Sequence, residues 1–172
     1  DLYRIQQAGF GWSSSTKAYQ AAGYNGNNIA DITNFTYSSS VSSADCGNLT
    51  VVRRQGKGGQ ACNSTTEGFG MGGWVTGASD ISNVIDKMSF ATEADAVDHG
   101  DLHTGVGFTS HSSSTTYGYC AGGQTAPSAT KINNIQKFAF ASNTTGSDVG
   151  DMTITSGNDS GSTVSNHSGC QY

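Results

Sequence analysis

One phrase is written four times along this chain, and a chain that repeats itself must fold as repeating units. An Asp/Asn-Leu/Met opening stands at Asp1-Leu2, Asn48-Leu49, Asp101-Leu102 and Asp151-Met152. Each opening is followed by a Ser/Thr run: Ser13 to Thr16, Ser64 to Thr66, Ser113 to Thr116, and Ser162 to Ser165. An aromatic comes next at Tyr19, Phe69 and Tyr119, and then small residues at Ala22-Gly23, Gly72-Gly73 and Gly122-Gly123. A second phrase appears three times, as Ile32 to Tyr37, Ile85 to Phe90 and Ile135 to Phe140. The period, roughly 50 residues, falls in the range of propeller and solenoid repeats. Units therefore start near residues 1, 48, 101 and 151 of a single repeat domain spanning 1–172, with the last unit incomplete.

Within a unit the pattern is that of short strands. Tyr117 to Gly123 is expected to be a strand whose paired glycines let another backbone come close. Gln124 to Asn133 is small and polar and is expected to be a loop. In Ile135 to Phe140 the aromatics stand two apart, so a strand would place both on one face. Asn143 to Asp148 is turn chemistry again. Helical periodicity is absent, and each unit predicts three or four antiparallel strands. A hydrophobic content of only 34% fits half-buried strands, because regularly spaced aromatics and β-branched residues argue against disorder.

Charge and hydropathy exclude other classes. A net charge of −5 is wrong for a nucleic-acid partner, which needs a basic patch. The basic cluster Arg53-Arg54 with Lys57 is expected to be a solvated hairpin tip. No apolar run reaches the ~18 residues of a membrane span. With no initiator Met and no leader, the chain is expected to be a processed product or a piece of a longer polypeptide.

Four cysteines, Cys46, Cys62, Cys120 and Cys170, lack metal-site spacing. Cys46 and Cys62 flank a turn-rich stretch and are expected to bridge across a hairpin. Cys120 and Cys170 each lie nineteen residues after their unit's Asp, so stacking would make them neighbours and a second bridge is expected. Two disulfides would indicate an oxidising, extracellular setting. Asn-x-Ser/Thr acceptors at Asn34, Asn48, Asn63, Asn143, Asn158 and Asn166 point the same way, against a high chance rate in so Ser/Thr-rich a chain.

The aromatic-x-x-Gly-Gly strand (Phe69 to Gly73, Tyr119 to Gly123) and the Asn-x-Ile-x-Lys-x-x-Phe strand (Asn83 to Phe90, with one residue more at Asn133 to Phe140) resemble Kelch-type β-propeller repeats. That family's late Trp is replaced by Tyr37, Phe90 and Phe140, and its Arg before the Gly-Gly strand occurs only in the Asn48 unit. Asn83 to Ala91 and Asp148 to Met152 also resemble the Gly/Ser-rich propeller-like repeats of bacteriophage tail and fibre proteins. The resemblance implies propeller-like blades and a structural or receptor-binding role at a virion or cell surface. The rival architecture is a β-solenoid.

Apparent chemical sites dissolve on internal alignment. Asp98-His99-Gly100-Asp101-Leu102-His103 has the composition of a metal cluster. Asp45-Cys46-Gly47-Asn48 and Asp148-Val149-Gly150-Asp151 occupy the same place without histidine, so the carboxylates belong to a repeated turn. Gly68 to Gly73 spells G-x-G-x-x-G but is a copy of the Gly-Gly strand, with no helix after it. No Ser or Cys has a convincing His and acid partner. No catalytic residue, metal or cofactor is assigned. Trp12, Tyr24 and Trp74 are read as exposed aromatics near loops that could line a sugar-binding groove, against the competing reading of packing between units. The functional expectation is a non-enzymatic extracellular structural or adhesive module of a virion fibre or surface appendage. The alternatives are a filament protomer whose incomplete unit is completed by a neighbouring chain, and a carbohydrate-binding module for a surface glycan.

Overall fold

The computed structural model describes residues 6–39, 42–55, 61–76 and 79–156. Among them every regular element is a strand, and the paired strands run antiparallel. The first sheet is a meander of β1 (Phe10–Ser13), β2 (Lys17–Tyr24), β3 (Asn28–Thr36) and β4 (Ala44–Arg53), in that order. The second contains β5 (Cys62–Asn63) and β6 (Glu67–Met71), then β9 (Val84–Ser89) and β10 (Val97–Asp101), with a small hairpin of β7 (Trp74–Thr76) and β8 (Asp80–Ile81) between. The third runs β11 (Ser110–Ser113), β12 (Tyr117–Ala121), β14 (Thr130–Ala139), β15 (Ser147–Ser156), and β13 (Gln124–Thr125) also pairs β14. No parallel coil-on-coil ladder, as a solenoid would need, occurs among the described strands.

The repeated words are repeated geometry. Ser14, Ser64 and Ser114 each cap a hairpin: the Ser Oγ accepts from the backbone N of the residue three on, at 3.0 Å in all three. That is why the Ser/Thr runs lie between the first two strands of each sheet. At the far end of the second strand, Ala22, Gly72 and Gly122 take φ of +59°, +62° and +63°, and Gly23, Gly73 and Gly123 take +124°, +98° and +101°. There the chain meets another backbone: a Cβ on Gly73 would lie 2.8 Å from Arg54 O, and one on Gly123 would lie 2.6 Å from Gly107 O. The expected close approach is present.

Two local expectations change. Gln124 to Asn133 is not all loop; Gln124-Thr125 pairs with Thr130-Lys131, continuing the second and third strands beyond the glycine kink as Tyr24 and Asn28 do in the first sheet. The stretch between Cys46 and Cys62 is not one hairpin either. β4 closes the first sheet and β5 opens the second. The opening phrases Asn48-Leu49 and Asp151-Met152 lie in the last strands, β4 and β15, so the phrase that seems to begin a unit completes the sheet before it.

The sheets pack face to face. Phe10, Trp12, Tyr19, Ala21 and Ile32 meet Met88 and Ala96 in one apolar cluster. Phe69, Met71, Ile85 and Leu102 meet Cys120, Phe138 and Phe140 in the other. Phe138 and Phe140 do share a face, as their spacing predicts. Gly68 and Gly70 make the first seam tight, because a Cβ there would lie 2.2 Å from the Trp12 ring and 2.3 Å from Phe10.

Candidate functional site

The polar groups of greatest interest lie in the seams between sheets. Asp45, Asp98 and Asp148 each accept a bond from the backbone N of Gly47, Gly100 and Gly150, at 3.1, 2.7 and 3.1 Å. The glycines take φ of +133°, +109° and +148°, and each turn breaks the register of its strand pair as a bulge. This is the repeated Asp-Gly turn the alignment predicts, and among the described residues no His/Cys/Asp/Glu group could hold a metal ion. The bulge at Gly150 holds the Asp148 carboxyl below the usual carboxylate range, first through the Gly150 N–H and then through Asn134.

The bulges also receive the next sheet. Asn48 N donates to Asp95 Oδ1 at 2.8 Å, and Ala96 N donates to Asn48 O at 2.8 Å. In the second seam Gly146 N donates to Asp101 O at 2.7 Å. The residue at the centre of the bulge enters the seam: Cys46 packs on the first cluster, while His99 is buried, lies 2.9 Å from Ala139 O and meets Phe69 edge-on. The third-strand aromatics stack on second-strand rings, Phe90 on Tyr19 (5.1 Å, 14°) and Phe140 on Phe69 (4.7 Å, 16°).

Each seam has a polar clamp from the middle of a third strand. Asp86 Oδ1 accepts from Thr50 N at 2.9 Å and from the Thr50 hydroxyl at 2.5 Å. Gln136 accepts from Thr104 N at 2.8 Å and donates to Thr104 O at 3.1 Å. Asp86 also pairs with Arg53 at 2.5 Å, and both are buried. Arg53 is thus a core residue, not the solvated tip that its Arg-Arg setting suggests. Burial pulls its pKa down, and Asp86 opposes that shift. Arg54 stacks over the Tyr24 ring, 4.8 Å from its centroid; Lys57 lies outside the described residues. Beside them Gln55 joins all three sheets: its N donates to Ala8 O (2.8 Å), its O accepts from Phe108 N (3.1 Å), and its side chain donates to Met71 O (3.1 Å). Sequence reading missed Asp86, Gln55 and Gln136. For Asp86 and Gln136 the available signal was their place in the middle of strand-forming phrases, where a polar residue must be buried with a partner; Gln55, just beyond β4 in a turn-rich stretch, gave none.

Two surface clefts of about 440 Å³ each open at opposite ends of the first seam. One holds Lys17, Tyr19 and Glu93, with Lys17 Nζ 2.7 Å from Glu93 Oε2 and the Tyr19 hydroxyl donating to Oε1 at 2.7 Å. Burial works against the Glu93 carboxylate, but bonds from Lys17 and Tyr19 hold its pKa below the ordinary value. Burial, and then the Glu93 bond, push Tyr19 above the usual tyrosine range. This group latches two sheets together. The other cleft is lined by Tyr24, Arg54 and Asn27.

The other predicted residues scatter. Trp12 and Trp74 are buried, against Gly68 and Gly107 respectively, so they pack sheets instead of lining a sugar groove; Tyr24 is half-buried beneath Arg54. Asn34 is buried in β3 and has no room for a glycan, a correction to its reading as an acceptor. Asn48 and Asn143 are exposed, Asn63 is half-buried, and Asn158 and Asn166 lie outside the described residues.

The expected Cys46–Cys62 bridge is absent. Both thiols are free, because the two residues belong to different sheets: Cys46 Sγ faces Ile32 O at 3.4 Å and Cys62 Sγ faces Ser112 O at 3.0 Å. Cys120 is free and buried as well, and Cys170 lies outside the described residues. Burial pushes Cys46 up to about 11 and Cys62 and Cys120 up to about 12. For the latter pair only ~10⁻⁴ of each thiol is thiolate at about pH 8. Native protein is therefore expected to resist alkylation at Cys62 and Cys120, whereas unfolding without reductant exposes Cys46, Cys62 and Cys120 to labelling. A non-reducing peptide map that joins Cys46 to Cys62 would contradict the structure.

A comparison with protein-family models finds no match, and a comparison with curated protein sequences finds none either. No helix among the described residues is long and apolar enough to cross a membrane.

Proposed function

We propose that this chain is a non-enzymatic structural or adhesive repeat module of a virion fibre or surface appendage, its sheets arranged as propeller-like blades. The observation that carries the reading is the use of its buried polar groups. Asp86, Gln136 and Gln55 bond to backbone or side chains across a seam, the work expected of a scaffold built by stacking units. Four-stranded antiparallel meanders packed face to face, with Ala8, Gln55 and Phe108 linked in series beside the glycine kinks, support the blade arrangement. The free thiols remove the disulfide argument for an extracellular setting. That setting rests instead on the resemblance to tail-fibre repeats and on the exposed acceptors Asn48 and Asn143. Buried Trp12 and Trp74 take away the main support for a carbohydrate-binding module.

The test is electron microscopy of the particles or cells that produce the chain, labelled with antibody raised against it. Label along fibres or appendages is the expected result. Label confined to the cell interior would contradict the proposal.

A further inference from the structure

The two seams inside the chain show what each sheet face receives, and the end sheets present the same two faces uncovered by any other described sheet. The Phe90–Tyr19 and Phe140–Phe69 stacks each join a third-strand aromatic to the second-strand ring of the preceding sheet. By register, the next members of those two series are Tyr119 in β12 and Tyr37 just after β3. They stand at opposite ends of the three-sheet stack, neither with such a partner among the described residues. Phe35 is 40% exposed, whereas its counterparts Met88 and Phe138 are 1% and 3%; Tyr37 is 55% exposed, whereas its counterpart Phe140 is 7% and Phe90 is half-buried. At the other end Val149, the counterpart of buried His99, is 46% exposed. Among the described residues nothing lies within 4 Å of a Cβ added to Gly150, the counterpart of Gly47 and Gly100.

We infer that the chain associates head to tail with a second copy, the Phe35–Tyr37 face of one molecule seating on the Tyr119–Val149 face of the next so that Tyr37 stacks on Tyr119. This deepens the structural-module reading and rests on it. A second copy is the occupant because the two faces already fit each other twice within one chain, and the contact continues that interface. Residues 157–172 lie outside the described residues; they contain no Phe, Ile, Leu, Met or Trp, and Tyr172 is their one Tyr. A contact between two different faces is heterologous, so it propagates into a filament or closes into a ring.

The test is sedimentation velocity on the full chain and two variants, Tyr37→Asp and Val149→Asp, whose exposed positions leave the core intact; far-UV circular dichroism verifies each fold. The wild type is expected to form species larger than a dimer as concentration rises. Each variant should weaken association about 30-fold or more, the size expected for a central anchor residue. An equimolar mixture of the two variants should give a dimer that goes no further, because between them they hold one intact head and one intact tail. A wild type that stays monomeric at every concentration overturns the inference, as do variants that associate like the wild type, or a mixture that stays monomeric while the wild type assembles. Sedimentation reads only the contact between purified copies and antibody labelling reads only location, so failure of one is told apart from failure of the other.

Discussion

Asp86→Ala is expected to destabilise the protein by about 3–5 kcal/mol, the cost of stranding one member of a buried ion pair. With the carboxylate gone, Arg53 keeps one bond, from Nη2 to Gly70 O at 3.1 Å. Its Nε and Nη1 have no acceptor among the described residues, and the side chain is fully buried. Thr50 loses the acceptor of both its N–H and its hydroxyl in the same step. Asp86→Asn keeps an acceptor for Thr50 and removes the charge, so it should fall between wild type and alanine. The double replacement Arg53→Met with Asp86→Leu should recover most of the loss, because an apolar pair of similar volume leaves no charge without a partner. Urea denaturation measures all three, with the midpoint moving and the slope unchanged. An Asp86→Ala cost below about 1 kcal/mol would mean that the pair is not buried as described.

The sequence reading did well where a rule of local chemistry acts at one residue. The Gly-Gly pairs admit another backbone closely, and Asp-x-Gly is a turn in which the Asp bonds the backbone and the Gly takes positive φ; the Ser/Thr runs are legible as a repeated word but not as the turn caps they are. Internal alignment reads Asp98 to Asp101 as a copy of that turn, and Asp98 does accept from Gly100 N as its counterparts do. What failed depended on which sheet a strand joins. Cys46 and Cys62 stand sixteen residues apart in the chain, but the chain changes sheet between them. Arg53 looks solvated beside Arg54 and Lys57, yet strand alternation sends it inward to an aspartate thirty-three positions away in sequence. Trp12 and Trp74 look exceptional because they break the repeat pattern. Their role emerges only with the glycines they cover, Gly68 and Gly107. The excess fourth opening phrase has a topological explanation in part: Asp151-Met152 is the last strand of the third sheet, as Asn48-Leu49 is of the first.

The second large effect separates three glycines in one turn. Gly47, Gly100 and Gly150 share a backbone conformation that side chains rarely adopt, so alanine at any of them costs about 1–2 kcal/mol in strain. The surroundings differ. A Cβ on Gly47 would sit 2.7 Å from the backbone of Ala94 and Asp95, where nothing can move aside without parting the first two sheets. One on Gly100 would lie 3.0 Å from Asn143 Oδ1 and Thr144 O, and Asn143 can turn away. One on Gly150 meets none of the described residues within 4 Å. Overpacking adds about 1–3 kcal/mol where the neighbour is rigid, giving a total of about 2–5 kcal/mol for Gly47→Ala against about 1–2 for Gly150→Ala.

That comparison tests most directly the claim that like sheets are held by like seams, with the last bulge facing outward. It requires the three alanine variants, unfolded in urea at a concentration where the chain is monomeric. The expected order of loss is Gly47, then Gly100, then Gly150, with Gly47→Ala at least about 1 kcal/mol worse than Gly150→Ala. Equal losses at Gly47 and Gly150, or the larger loss at Gly150, would contradict the account.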